Sequence, residues 1–362
     1  MRKITIPVLV CILMFALVAC ASPNIEDNYE DNNEENIPPI VQEAMQQDAS
    51  PEPRPTPQLG VVQPIKPYNS DKLYADCQTL SVYYPEIMAL SSIGQTSLGN
   101  DIPLLKLGNG DKNVLWVGTV HAREIVTSAY LMLVVEEYAN AHYNSAPYGR
   151  FDADDTQRIL NEFTIYIVPA VNIDGMDIVT ANGFANVSIS DEDRKTWRGN
   201  ANGVDLNRNF PFDWINGGEY DVADNGYFYY KGESAGSEPE TRALMSLCES
   251  VHFEFLVSCH VRGQIIYWRD EKNGVIPGDE TLATTISKVT GYPLQPATSK
   301  AKDGWAGGFE NWFRYRFNRP GICIEFARQY STTSEGMLLF YTEEMMDWEN
   351  TKDLILYTLS DG

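Results

Sequence analysis

The chain begins with a basic Met1-Arg2-Lys3 and an apolar run over residues 4–19, then shows no foldable hydrophobic pattern until about residue 68. Beyond that point apolar positions return in two kinds of block. Short, nearly continuous apolar runs predict strands at 104–107, 114–120, 163–171, 253–259, 265–268 and 322–326. Helical patterns between them predict helices at 124–140, 239–251, 280–290, 307–318 and 336–359. Alternation of this kind indicates an α/β sheet with helices on both faces. Strands apolar on both sides belong at its centre. Ligands of such sheets gather beyond the carboxyl ends of the strands, so chemistry is expected there.

Composition separates the folded part from what precedes it. Residues 1–20 read as an export signal. Their end, Leu17-Val18-Ala19-Cys20, resembles the lipobox of bacterial lipoproteins, in which the cysteine is freed by cleavage and lipidated. Such an anchor would hold the protein on the outer face of the cytoplasmic membrane, or at the cell surface, without spanning it. No later stretch is apolar enough to cross a bilayer.

Residues 21–68 carry nine acidic groups between Glu26 and Glu52, with Arg54 and six prolines near their end. They are expected to form a disordered tether. The tether supplies about a third of the net charge of -23, so that charge says little about a site, although it argues against nucleic acid as a partner. Residues 69–362, about 295 in number, suffice for one large domain. Export permits disulfides. Cys259 and Cys323 nevertheless lie in strand-like runs and read as buried free thiols, while pairing among Cys77, Cys248, Cys259 and Cys323 stays open.

The chemistry concentrates at strand ends. His121-Ala122-Arg123-Glu124 stands between the apolar run at 114–120 and a helical pattern, so His121 and Glu124 can both reach one metal ion. The chain has four histidines. His260, at the end of the run at 253–259, is the natural third ligand, because His142 and His252 read as solvent-facing. Two histidines and a glutamate, with a fourth position left to water, make a catalytic zinc set. Asp205 is a candidate partner for the outer nitrogen of His121, since metal-bound histidines commonly donate that proton to a carboxylate. Asn207 and Arg208 stand side by side, and an arginine fork binds carboxylates in bidentate fashion. Glu325 is the single carboxylate in the apolar run at 321–326, which is costly unless it is paired or functional. It could act as the base for an attacking water. Arg198 could steady the developing oxyanion.

In this order, HARE, GVDLNRNFP, a strand-terminal histidine and a late I-E-F strand resemble the zinc carboxypeptidases, over about residues 68–360. The resemblance implies a single domain with a mixed, mostly parallel sheet of about eight strands. It implies one zinc on His121, Glu124 and His260, with Glu325 as general base and acid. It also implies Arg198 at the oxyanion, Asn207 and Arg208 on the substrate carboxylate, and Arg123 lining the cleft. Within the family, the segments at 197–203 and 260–268 resemble bacterial peptidases that cut the γ-D-glutamyl to diaminopimelate bond of cell-wall peptides. The family's mobile tyrosine falls on or near Asp303 here. Its side-chain-selecting position falls on Glu310, where an acidic group would favour a substrate ammonium. The expected partner is thus a peptide or muropeptide, and a monomer is favoured. Alternatives are a carboxypeptidase for basic C-terminal residues and a non-catalytic wall-peptide-binding lipoprotein.

Overall fold

In the computed structural model, which describes residues 55–63, 68–182, 190–216, 229–270, 274–297, 307–327 and 346–360, the apolar runs pair into one eight-stranded mixed sheet. The chain passes through α1 (Ser70–Tyr83), β1 (Met88–Gln95), β2 (Asp101–Leu107), β3 (Lys112–Val117), α2 (Val126–Tyr143), α3 (Ala153–Glu162) and β4 (Phe163–Val168). It continues through α4 (Ile173–Thr180), α5 (Asp191–Thr196), α6 (Pro239–Ser250), β5 (Phe253–Val261), β6 (Ile265–Asp270), α7 (Asp279–Thr290) and β7 (Leu294–Ala297). Last come α8 (Phe309–Phe317), β8 (Gly321–Phe326), α9 (Trp348–Thr351) and α10 (Leu354–Leu359).

The strand order is β1-β2-β4-β3-β5-β8-β6-β7. Strands β4, β3, β5 and β8 run parallel as the sheet's centre, and β6 pairs parallel with β7. The remaining contacts, β1–β2, β2–β4 and β8–β6, are antiparallel. The central strands are the ones with continuous apolar runs because helices cover both of their sides. Side-chain alternation divides β3 between two cores. Val114 and Trp116 join the residues of α1, α2, α3, α7 and α10, whereas Leu115 and Val117 join those of α6 and α8.

Several expectations shift at their edges. Strand β5 runs on through His260 rather than stopping before it. Strand β3 stops at Val117, and residues 118–120 turn the chain toward His121. Strands β1 and β7 lack the apolar signature because they are sheet edges: β1 is largely exposed, and β7 has four residues including a proline. The tether expected over 21–68 ends sooner. Val62 is 3 % exposed within the core, and the Glu136 carboxylate on α2 accepts from the backbone N–H groups of Val61 and Val62 at 2.8 and 3.0 Å. Tyr68 is buried and donates to Asp76 at 2.5 Å. Of the helix expected at 336–359, α9 and α10 are seen. Cys20, the tether up to residue 54, Asp303 and residues 336–345 lie outside the described residues. Cys77, Cys248, Cys259 and Cys323 are free and buried. No helix among the described residues is long and apolar enough to cross a membrane.

Candidate zinc centre

The turn that carries His121 and Glu124 is built by close backbone packing. A Cβ on Gly118 would come within 2.5 Å of the Pro169 carbonyl, so the chain can pass there only without a side chain. Thr119 then takes a positive φ of 39°, which is uncommon for a β-branched residue. The first turn of α2 holds it: the Thr127 hydroxyl accepts from the Thr119 N–H at 2.8 Å, and the Thr119 and Ser128 hydroxyls meet at 2.5 Å. Asn172 ties this turn to a second segment, donating to the carbonyls of Val120 and Gly199 at 3.2 and 3.1 Å. The Ala122 N–H donates to the Arg198 carbonyl at 2.9 Å.

His260 reaches the same point from β5. Its neighbour across the parallel ladder is Glu325 on β8, and Ser258 pairs likewise with Cys323. Alternation puts these four side chains on the sheet face opposite Cys259 and Ile324. The α6 and α8 helices cover that face.

Ligand-type atoms of three residues converge. His121 Nδ1 lies 2.9 Å from Glu124 Oε1, His260 Nδ1 lies 3.0 Å from Glu124 Oε2, and the two Nδ1 atoms are 3.1 Å apart. All three residues are buried. Two imidazole lone pairs and a carboxylate aimed at one buried point repel unless a cation lies between them. Ligands bonded to zinc at about 2.0–2.1 Å in tetrahedral array stand roughly 3.3 Å apart, close to this triangle. The donor set fits zinc. His142 and His252 stand elsewhere: His142 is on α2, and His252 is exposed in the turn before β5, where its ring meets Arg319 at 2.7 Å.

Asp205 organises the flank. One oxygen faces His121 Nε2 at 3.2 Å and accepts from the Asn207 N–H at 3.0 Å; the other accepts from Arg198 Nε at 2.9 Å. Burial alone would raise this carboxyl, but Arg198 and His121 outweigh it and hold it well below the usual carboxylate range. Burial likewise opposes the charge on Arg198, while Asp205 and Glu124 keep it firmly protonated. Arg198 Nη1 stands 3.5 Å from Glu124 Oε1, so its guanidinium borders the ligand set.

Asn207 and Arg208 occupy a 3₁₀ turn, Leu206–Arg208, that Asp205 caps. Gly307 presses on that turn with φ +75°, and a Cβ there would lie 2.1 Å from the Arg208 carbonyl. The Asn207 side-chain oxygen accepts from the Phe309 N–H at the start of α8 at 2.7 Å, so what Asn207 can offer a substrate is its pair of N–H donors. Arg208 Nη1 donates to the Asn207 carbonyl at 2.7 Å. Arg123 is half-buried between the two ligands of its own turn. Burial, Arg198 and Arg262 all push its pKa down, which marks a concentration of positive charge on this side of the centre.

Glu325 is half-buried, and its Oε2 makes no hydrogen bond among the described residues. Burial pushes its pKa up to about 7, with Glu124 adding to the rise and His260 and Arg198 opposing it. Glu310 lies behind His260: its Oε1 is 3.5 Å from His260 Nε2, and its side chain is 6 % exposed.

Two residues near the centre carry no obvious motif. Ser258 faces His260 Nε2 at 2.9 Å; a hydroxyl two positions before a strand histidine, hence on the same face, is the signal that could have found it. The Tyr229 ring sits 5.7 Å from the Arg198 guanidinium and 5.3 Å from that of Arg208, on backbone with φ 72°. Nothing in its local sequence points there.

Comparison with known proteins agrees with this geometry. Residues 73–353 match the zinc carboxypeptidase family, and the chain belongs to it. As the family's description names zinc, His121, Glu124 and His260 are the residues here that could hold such an ion. Gamma-D-glutamyl-L-diamino acid endopeptidase 1 of Lysinibacillus sphaericus is 30 % identical over 268 residues, which is 71 % of this chain and 65 % of that protein. Carboxypeptidase B of Bos taurus is 28 % identical over 284 residues, 70 % of this chain and 64 % of that one. The chain thus spans slightly less than two thirds of either relative. The fold matches the crystal structure of thrombin activatable fibrinolysis inhibitor with a TM-score of 0.63 at 19 % identity, over 80 % of this chain and 72 % of that one.

Proposed function

We propose that this peptidase works at the bacterial cell surface on cell-wall peptides, hydrolysing the γ-D-glutamyl to diaminopimelate bond. The observation that carries the substrate reading is the set of guanidinium groups around the zinc ligands. Arg198 borders Glu124, Arg123 interacts with both Arg198 and Arg262, and Arg208 acts on Asp205, all in a chain of net charge -23. A γ-linked glutamyl residue keeps its α-carboxylate beside the scissile bond, so such a peptide brings more carboxylates to the centre than an ordinary one. The name of the Lysinibacillus relative supports the same bond class.

Bound zinc supplies a Lewis acid and lowers the pKa of a water beside it. The protein's groups do the rest. Glu325, ionised, takes a proton from the attacking water and delivers it to the leaving amine. Arg198, pinned through Nε by Asp205, offers its remaining N–H groups to the oxyanion without reorganising. Arg208 and Asn207 hold a substrate carboxylate.

For location, the lipobox-like Leu17-Val18-Ala19-Cys20 supports a lipid anchor, with the acidic tether as spacer to a monomeric catalytic domain. Cys20→Ala should release the exported protein into the medium. A second reading, removal of C-terminal basic residues, is favoured by likeness to carboxypeptidase B. The test is side-by-side digestion of a γ-D-glutamyl-diaminopimelate muropeptide and a peptide ending in lysine, with products weighed by mass spectrometry. Release of the wall dipeptide bond alone supports the proposal; cleavage of the lysine peptide alone overturns it.

A further inference from the structure

We propose that Glu310 is a positioning residue of the zinc centre, serving His260 as Asp205 serves His121. The inference stands on the metal site and is independent of which bond is cut.

Each ligand histidine turns Nδ1 to the metal position and Nε2 away from it. For His121, Nε2 meets the Asp205 carboxylate at 3.2 Å. For His260, Nε2 meets the Ser258 hydroxyl at 2.9 Å and, at 3.5 Å, Glu310 Oε1. An imidazole that binds a cation through Nδ1 must carry its proton on Nε2, so both outer nitrogens are donors. A carboxylate facing such a donor fixes the tautomer, orients the ring and strengthens the metal bond.

Glu310 is placed for this role and for little else. Its side chain is 6 % exposed, and neither carboxylate oxygen makes a hydrogen bond of ordinary geometry among the described residues. An ionised carboxylate in such a place is costly unless a positive or proton-donating group faces it. Burial opposes its charge, and His260, followed by its own backbone N–H and then Ser258, outweighs that burial. The backbone is locked as well. A Cβ on Gly321 would lie 2.7 Å from the Glu310 carbonyl, so the first turn of α8 rests directly on β8. That contact carries Glu310 beneath the Ser258–His260 edge of β5.

A substrate-selecting role for Glu310, which its alignment suggests, requires the opposite arrangement, with the carboxylate open to an incoming ammonium. Zinc affinity separates the two. In full-length Glu310→Gln, competition with a chromophoric chelator should show zinc bound about 10–100-fold more weakly. Glu310→Asp should recover part of the loss. Preference between lysine-ended and neutral peptides, measured at saturating zinc, should not change. A folded Glu310→Gln protein with unchanged zinc affinity overturns the proposal, and more so if it loses preference for the basic peptide. If that variant does not fold, Ser258→Ala carries the test. With the hydroxyl gone, Glu310 remains as acceptor, so the His260 Nε2–H resonance of the zinc-loaded, histidine-labelled protein stays in slow exchange. Its disappearance overturns the proposal.

Discussion

His260 and Glu325 are direct neighbours across the parallel ladder of β5 and β8, on the sheet face that carries the zinc ligands. One residue of register slip in either strand would turn one of them into the opposite core. The proposed base and the proposed ligand are therefore positioned by the same backbone hydrogen bonds.

The first prediction concerns pH. Glu325 must be ionised to accept a proton, and burial with Glu124 nearby raises its pKa to about 7 from the ordinary 4.5. Zinc adds positive charge and draws the value back down. The acidic limb of kcat/KM in the zinc enzyme should accordingly fall between these two values, with activity lost as pH drops. A pH profile with defined peptide substrate checks this. An acidic limb above 7 would mean that another group controls it.

Asp205 serves three partners at once: His121, Arg198 and the Asn207 N–H. Asp205→Asn keeps the shape but removes the charge. Zinc affinity should fall about 10–100-fold. At saturating zinc, kcat should remain depressed, because Arg198 loses the group that holds it. Chelator competition and steady-state kinetics on the same preparation read the two effects separately.

Arg208→Ala should act on the substrate rather than the metal. A charged hydrogen bond contributes about 1.5–3 kcal/mol, so kcat/KM for a substrate bearing the carboxylate should drop roughly 10- to 150-fold. A substrate whose carboxylate is amidated should be affected far less. Zinc content, measured by atomic absorption, should not move.

Gly307→Ala tests how the carboxylate-binding turn is supported. The position needs φ +75°, and the new Cβ would meet the Arg208 carbonyl at 2.1 Å. The strain should destabilise the fold by about 1–3 kcal/mol. It should also raise KM by displacing Asn207 and Arg208. Thermal unfolding and kinetics together check it.

What could be read from sequence and what could not divide along physical lines. The central strands announce themselves because burial on both faces demands apolar runs such as 114–117 and 253–257. The ligands follow, because they stand at the ends of those runs. Strands β1 and β7 are hidden because an edge needs no such pattern. Helix α1 buries a narrow apolar stripe of Leu73, Cys77 and Leu80, and polar contacts add to its hold, including Ser70 on Asp177 at 2.6 Å and Tyr68 on Asp76. The placement of Glu310 depends on a glycine eleven positions later that lets a helix touch a strand, and no local signal encodes that approach. Tyr229 comes near Arg198 and Arg208 through a strained backbone that its neighbours in sequence do not foretell.

We propose that Glu325 acts as a base at a zinc held by His121, Glu124 and His260. The most direct measurement is Glu325→Gln, assayed for zinc stoichiometry and turnover on one sample. Glu325→Gln should hold the same one zinc per chain expected of the unaltered protein, with kcat lower by at least about 10²–10⁴-fold. Turnover at the normal rate, or loss of the zinc, would contradict it.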